Sequence, residues 1–386
     1  PQWHAGNGCG SHGVRTSMAT GAGRPPESQS HGSTAQPCAN GGPHCNGGDT
    51  RCRGDGYFRP MKRTVSTASE ARRKVDRLRA LRGSPGQLHD FAMQVIAEEG
   101  SPELVKLALE SLGEQVRPAD GPILRALYED FDRDGAKRDP GGDVRVEVLR
   151  ALWHLHSQDD LPLALHARNT SERTLQANGE MIRAAGLALL GVLDPARGAV
   201  EAVLVLGRDD ADPPRTSSTM TGEPALTAVR LLASLGETSS LLLYVLSGSP
   251  PNSEVTGEAL RGLVSLEPAI LEPILMDLAR SDDDGLLVAV CDVLVELPAS
   301  PGTEALVRVL LDSPSRGEVY QFLVSSIVAS RRQDLIAMVV ESLPREMSQK
   351  RLRSALEALR LAPKTGALEA ALLELEGRLA KQAPPR

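Results

Sequence analysis

Three histidines and two aspartates lie close together as His154, His156, Asp159, Asp160 and His166. By type they could ligate a metal or exchange protons near neutral pH. Their spacing does not gather them. On a helix, His154 and His156 stand two residues apart and point about 200° from one another, so they cannot chelate together. The group reads as a solvated helix end. Cys9, His12, Cys38, His44, Cys45 and Cys52 are ligand types that zinc accepts. However, Cys38, Cys45 and Cys52 fall seven apart, and Cys9 with His12 is the only tight pair, where a structural zinc site normally uses two. Neither set predicts a metal, and no other cofactor is expected. Cys291 occupies a leucine-like position in an apolar run and reads as a small core residue, not a nucleophile. Tyr128, Tyr244, Tyr320 and Phe322 fall in apolar stretches and read as packing.

Three surfaces could hold a partner instead. Residues 70 to 82 are rich in arginine and carry Val75, Leu78 and Leu81 on one helical stripe, which predicts a basic amphipathic helix exposing Arg72, Arg73 and Arg77. Such a helix either caps the fold or docks on an acidic protein or membrane surface. Near the other end, Arg345, Lys350, Arg351, Arg353 and Arg360 form a second basic cluster. Between them stands Trp153, next to His154 and close to His156.

The elements that position these residues follow from a recurring pattern. From Asp143 onward an apolar residue is followed at intervals of three by leucine or a similar residue, then by a Gly, Pro or acidic turn. The triplets are Leu149/Leu152/Leu155, Leu187/Leu190/Leu193, Val229/Leu232/Leu235, Leu260/Leu263/Leu266, Cys291/Leu294/Leu297, Val324/Ile327/Ser330 and Leu356/Leu359/Ala362. Their first members are separated by 38, 42, 31, 31, 33 and 32 residues. This spacing lines up one stripe of a helix, and the stripe must be buried. After each stripe comes a breaker such as Asp194-Pro195 or Leu235-Gly236, then a second apolar helix. Asp143 and Ser253 are in position to cap helices. Looser pairs precede these, around Ala71 to Glu98 and Pro102 to Phe131. The 42-residue interval is explained by a long acidic loop, Gly207 to Glu223. No stretch alternates with period two over a useful length, so a sheet is not expected.

Composition agrees. Aromatic residues are 3% of the 386, so small aliphatic side chains must fill the interior, as closely stacked helices allow. The formal net charge is −7, and the first sixty residues hold five arginines against three acids, so the rest is more acidic still. Nonspecific nucleic-acid binding has no global electrostatic support. No apolar run reaches the eighteen or so residues of a membrane span. With no secretory h-region at the N-terminus and four of the five cysteines in the N-terminal segment, a cytoplasmic location is expected.

Residues 1–60 contain no Leu or Ile and thirteen of the 36 glycines, which predicts a disordered tail, with Met61 a candidate natural start. The expected organisation is that tail, a basic helix or cap over 61–86, a helical repeat array over 87–380, and a short disordered tail over 381–386.

The stripes, the Leu-Gly and Leu-Pro turns within pairs, and acidic turns such as Ser281-Asp282-Asp283-Asp284-Gly285 resemble HEAT-repeat proteins, including the short bacterial variety related to the PBS-lyase type. The resemblance implies an all-α, armadillo-like fold: a right-handed α-solenoid of eight or nine helical hairpins, each unable to bury its apolar face alone. The Val-Arg that opens such units survives clearly at Val144-Arg145.

Three enzyme types occur on HEAT-like arrays, and each would require particular residues. A deoxyhypusine-type di-iron hydroxylase would need His-Glu pairs, and no His here precedes Glu. A DNA glycosylase would need a basic groove near Trp153, but the arginine cluster lies far along the chain from it. For a bilin lyase no site residues transfer. The resemblance therefore implies a non-enzymatic scaffold that binds a protein or peptide on its concave face. A HEAT-fold enzyme, glycosylase-like or bilin-lyase-like, is the alternative. No small-molecule ligand is indicated.

Overall fold

A computed structural model describes residues 65–171, 179–209, 222–247, 252–312 and 317–381. The chain divides into two units, Pro1–Phe58 and Arg59–Arg386, and every element below belongs to the second. The tail, its Cys and His residues and Met61 lie outside the described residues. Most of the long acidic loop lies outside them as well.

Among the described residues the fold is all-helical, with nineteen α-helices and no strand. Eighteen of them form two interleaved sets. The first set is α1 (Ala68–Ala80), α3 (Pro102–Leu112), α6 (Asp143–Trp153), α8 (Glu180–Leu193), α10 (Ala225–Leu235), α12 (Ser253–Gly262), α14 (Asp284–Glu296), α16 (Gly317–Ser330) and α18 (Gln349–Leu359). Each member packs on the next. The second set is α2 (Pro85–Glu98), α4 (Gly121–Asp132), α7 (Leu161–Arg168), α9 (Pro195–Asp209), α11 (Thr238–Leu246), α13 (Pro268–Leu278), α15 (Pro301–Asp312), α17 (Gln333–Ser342) and α19 (Gly366–Lys381). Of these, α13, α15, α17 and α19 touch in succession. One extra turn, α5 (Gly135–Arg138), lies between α4 and α6.

The leucine stripes are what the first set buries. Leu149, Leu152, Leu187, Leu190, Val229, Leu232, Leu260, Leu263, Cys291, Leu294, Val324, Ile327 and Leu359 are all fully enclosed. The third member of each triplet is often only half-buried, as at Leu155, Leu235 and Leu266, because it sits where the helix gives way to its turn. The core follows the order of the helices and has no single centre. One apolar cluster runs from Leu78 to Leu193 and a second from Leu187 to Leu375, with α8 contributing to both.

Proline opens α2, α3, α9, α13 and α15, where its missing N–H costs nothing. Gly236 ends α10 in the left-handed conformation, φ 73°. Two expected caps are corrected. The residue before α6 is Gly142, and the carboxylate that receives the free amides of that end is Asp139, from the Val144 and Arg145 N–H groups at 3.2 and 3.1 Å. Asp143 instead lies 3.3 Å from Lys106 Nζ. At α12 the cap is Asn252, whose Oδ1 accepts from the Glu254 and Val255 amides, and Ser253 is the first helical residue. The loop expected to begin at Gly207 begins later, since Gly207 to Asp209 still belong to α9.

Candidate functional site

The histidine and aspartate group does not converge. Trp153 ends α6 half-buried, and the rings of His154 and His156 stand edge-on against it, with centroids 5.2 and 5.6 Å away. His166, on α7, is turned to a different neighbour: its Nε2 lies 2.7 Å from Asp132 Oδ2, and its ring meets Tyr128 edge-on. Asp160 is buried beneath Arg125, whose Nη1 donates to Asp160 Oδ1 at 2.7 Å. Burial raises the Asp160 carboxyl above its ordinary range despite that guanidinium. Among the described residues no three His, Cys, Asp or Glu side chains form a metal-sized group.

The residue that organises this region is Arg145, which is fully buried. Its Nε donates to Asp139 Oδ2 at 3.2 Å, its Nη2 to the Asp139 carbonyl at 3.2 Å, and its Nη1 to Asp132 Oδ1 at 3.1 Å. Asp132 thus bridges Arg145 to His166. The Val144-Arg145 pair marks the place in the sequence. What discloses the partner is a carboxylate six residues ahead of it, where a helix must begin.

The basic residues have separate fates. Arg72, Arg73 and Arg77 are exposed on α1, with the Arg77 guanidinium 4.2 Å from the Phe91 ring centroid. The apolar stripe of α1 is already spent on α2 and α3: Leu78 is buried, and Val75 and Leu81 are half-buried. Arg345 and Arg353 are exposed. Arg351 is not part of that surface. It is buried, with Nη1 2.9 Å from Glu346 Oε2 and its guanidinium 4.2 Å from the Tyr320 ring. Burial, with Glu346 nearby, pushes the Tyr320 hydroxyl up to about 12 despite Arg351.

The two sets of helices present different faces to solvent. Along the first set, Arg230 Nε on α10 donates to Glu258 on α12 at 3.0 Å. Glu258 also accepts from Arg261 at 2.8 Å, and Arg261 donates to Asp292 on α14 at 2.7 Å. That ladder satisfies charge with charge across three helices. The second set leaves apolar side chains in the open. Val200 (60% exposed), Val203 and Leu204 on α9, Leu243 (72%) and Leu246 on α11, and Ile270 on α13 all face water.

Neither a family model, a curated protein nor a solved structure matches this chain.

Between α9 and the start of α11 the exposed residues border a groove of about 570 Å³. Its walls are Ala199, Val200, Val203 and Leu204 on one side and Leu235 on the other, with Glu237 and Ser240 as its polar groups. Chemically it offers apolar contact with one carboxylate and one hydroxyl beside it. Exposed apolar residues on adjacent helices are the ordinary mark of a binding surface, because single ones scatter while a grouped set needs cover.

No helix among the described residues is long and apolar enough to cross a membrane.

Proposed function

We propose that residues 68–381 form a right-handed α-solenoid of nine HEAT-type helix pairs, and that the protein is a non-enzymatic scaffold whose second-helix face holds a protein or peptide. The contact pattern supports the solenoid, since each first-set helix packs on the next, as stacked hairpins must. The scaffold reading rests on one observation: the second-set helices α9, α11 and α13 expose six large apolar side chains, whereas the first-set helices α10, α12 and α14 close their outer face with ion pairs. Exposed apolar area on this scale costs solubility unless something covers it.

A photo-crosslinking amino acid placed at Leu243 and, in a second variant, at Glu258 tests this. In a lysate of cells that express the chain, the Leu243 position should capture a discrete protein and the Glu258 position should not. Equal capture at both positions, or at neither, would reject the assignment of the binding face. Small-angle scattering of the full chain tests the architecture separately, a compact globule being the result that would end it.

A further inference from the structure

The outer side of α1 is charged without being paired. Over residues 68–83, which are α1 and the short turn that follows it, six basic residues stand against two acids, in a chain whose net charge is −7. Lys74 is spent inward on Glu99, at 2.7 Å. Arg72, Arg73, Arg77, Arg79 and Arg82 are exposed, and none of them forms an ion pair among the described residues. Farther along, first-set helices do pair their charges, Lys106 on α3 with Asp143 on α6 and Arg261 on α12 with Asp292 on α14. Because α1 packs on α2 and α3 through its apolar stripe, its arginines occupy the side turned away from both.

Their spacing makes two rows. Arg72 and Arg79, seven residues apart, form one about 10 Å long, and Arg73 and Arg77, one turn apart, form a second beside it about 6 Å long. Arg77 is set in place by the Phe91 ring, whose centroid lies 4.2 Å from its guanidinium. In an extended chain the side chains of alternate residues fall on one side about 7 Å apart, close to that one-turn spacing. A carboxylate accepts both arms of a guanidinium fork. Of the two acids, Glu70 lies near Arg73, but its Oε2 is held by the Thr67 N–H and Oγ1, each at 2.9 Å. Asp76 is exposed between the rows and opposes an anionic guest.

Extent and charge choose among anions. A nucleic-acid duplex or a lipid surface reaches past a patch about 15 Å long and meets the acidic remainder of the chain, whereas a short segment does not. The outer side of α1 has no large apolar residue to bury in lipid, and the single exposed valine ahead of it, Val65, is too little to anchor one. The chain's own first sixty residues hold more arginine than acid, so they are no counterpart. A second copy offers at most three consecutive acids, Asp282 to Asp284, and Asp283 already accepts the Leu286 amide at 3.0 Å.

We infer that the outer side of α1 binds a short, extended, Glu- or Asp-rich segment of a partner protein. Alternate carboxylates of that segment engage Arg73 and Arg77, and their neighbours engage Arg72 and Arg79. Each such pair is exposed and weak, so binding sums over the patch and falls with salt. This surface belongs to the first set of helices and is independent of the second-set face proposed above.

The test uses the full chain and a dye-labelled peptide of twelve residues in which glutamate and serine alternate. A control peptide carries the same dye and glutamine in place of glutamate. Anisotropy at low salt should show saturable binding of the Glu peptide, lost as salt rises, and none of the Gln peptide. Arg72→Glu/Arg79→Glu and Arg73→Glu/Arg77→Glu should each weaken it about fivefold or more, and Asp76→Asn should strengthen it about twofold. Arg353→Glu, an exposed change on α18, should leave it unaltered. Circular dichroism checks that each variant keeps its helices, and the milder Arg72→Gln/Arg79→Gln replaces any pair that does not.

Equal binding of the two peptides, no binding at about 500 µM, or indifference to both arginine pairs would overturn the inference. Weaker binding in Asp76→Asn would do the same. So would tighter binding of a twelve-base-pair DNA duplex, or of vesicles of phosphatidylserine and phosphatidylcholine in equal amounts, than of the Glu peptide. Sedimentation showing that the chain self-associates, and that Arg72→Glu/Arg79→Glu separates the copies, would assign the surface to a second copy instead.

Discussion

Gly198 lies so close to Gly191 that a methyl group on the first would sit 2.7 Å from the α-carbon of the second. That contact lets α8 and α9 cross nearly backbone to backbone, and so sets the angle at which α9 presents Val200, Val203 and Leu204. A Gly198→Ala change gains about 1 kcal/mol of helix propensity. It loses more, because the obstacle is backbone and cannot rotate away, and overpacking of this kind costs about 1–3 kcal/mol. The expected net effect is a lower urea midpoint for the full chain. Gly377→Ala on α19 is the matched control, since nothing lies within 4 Å of the added atom and the midpoint should hold or rise. Equal effects from the two changes would show that the Gly191–Gly198 crossing is not tight.

Acid should loosen α1. Glu99 is fully enclosed, and burial alone would raise its pKa. Lys74 Nζ at 2.7 Å, Ser66 Oγ at 2.6 Å and the Ser101 and Ser66 amides outweigh that effect and hold it at about 2. A carboxylate depressed on folding stabilises fully above its unfolded pKa, near 4.5, and loses that contribution as pH falls toward 2. The shift corresponds to about 3 kcal/mol. A dye placed on α1 should report easier urea detachment in Glu99→Gln than in the parent at pH 6. The gap between the two should narrow through pH 4 and close near pH 2. A gap that is constant with pH would show that the carboxylate charge is not what fastens the helix.

Truncating Arg145 should be among the costliest single changes in the chain. Arg145→Met fills similar volume but leaves Asp139, itself buried, with only backbone amides for its charge. Removing one partner of a buried pair costs about 3–5 kcal/mol. The measurement is a thermal melt of the full chain, compared with exposed Arg353→Met, which should be near neutral. The double change Arg145→Met/Asp139→Asn should recover part of the loss, because the stranded charge is gone.

The all-helical fold was legible because a leucine every three residues commits one side of a helix to burial, and Leu149, Leu232 and Leu294 are buried as that periodicity requires. The caps at α6 and α12 were misplaced by one to four residues. A cap is decided by which carboxylate or amide the local turn swings over the helix end, and Asp139 reaches across a turn that spacing alone does not reveal. Arg351 looked like a free charge because its burial depends on Tyr320, on a neighbouring helix. The groove was the least legible feature. Pro195–Asp209 is apolar around most of its circumference, so Val203 and Val205 look alike in sequence, yet Val205 is enclosed and Val203 is open. What separates them is which side of α9 packs on α8 and α10, which no single helix encodes.

Cys291 should be inert until the chain unfolds. It occupies a stripe position on α14 with no exposed surface, between Val290 and Asp292, and burial pushes its thiol up to about 12, with the Asp292 carboxylate adding to the rise. The thiolate is the reactive form, so at pH 8 both access and ionisation are against alkylation. Iodoacetamide applied to the native full chain, followed by peptide mass spectrometry, should leave the Cys291 peptide unmodified over a period in which denaturant gives complete labelling. The rate of any slow native labelling should rise with urea in step with the loss of helix signal, because reaction requires α14 to leave the core. Prompt native labelling would mean that α14 opens on its own, and the packing of α12, α14 and α16 that carries the second apolar cluster would need to be redrawn.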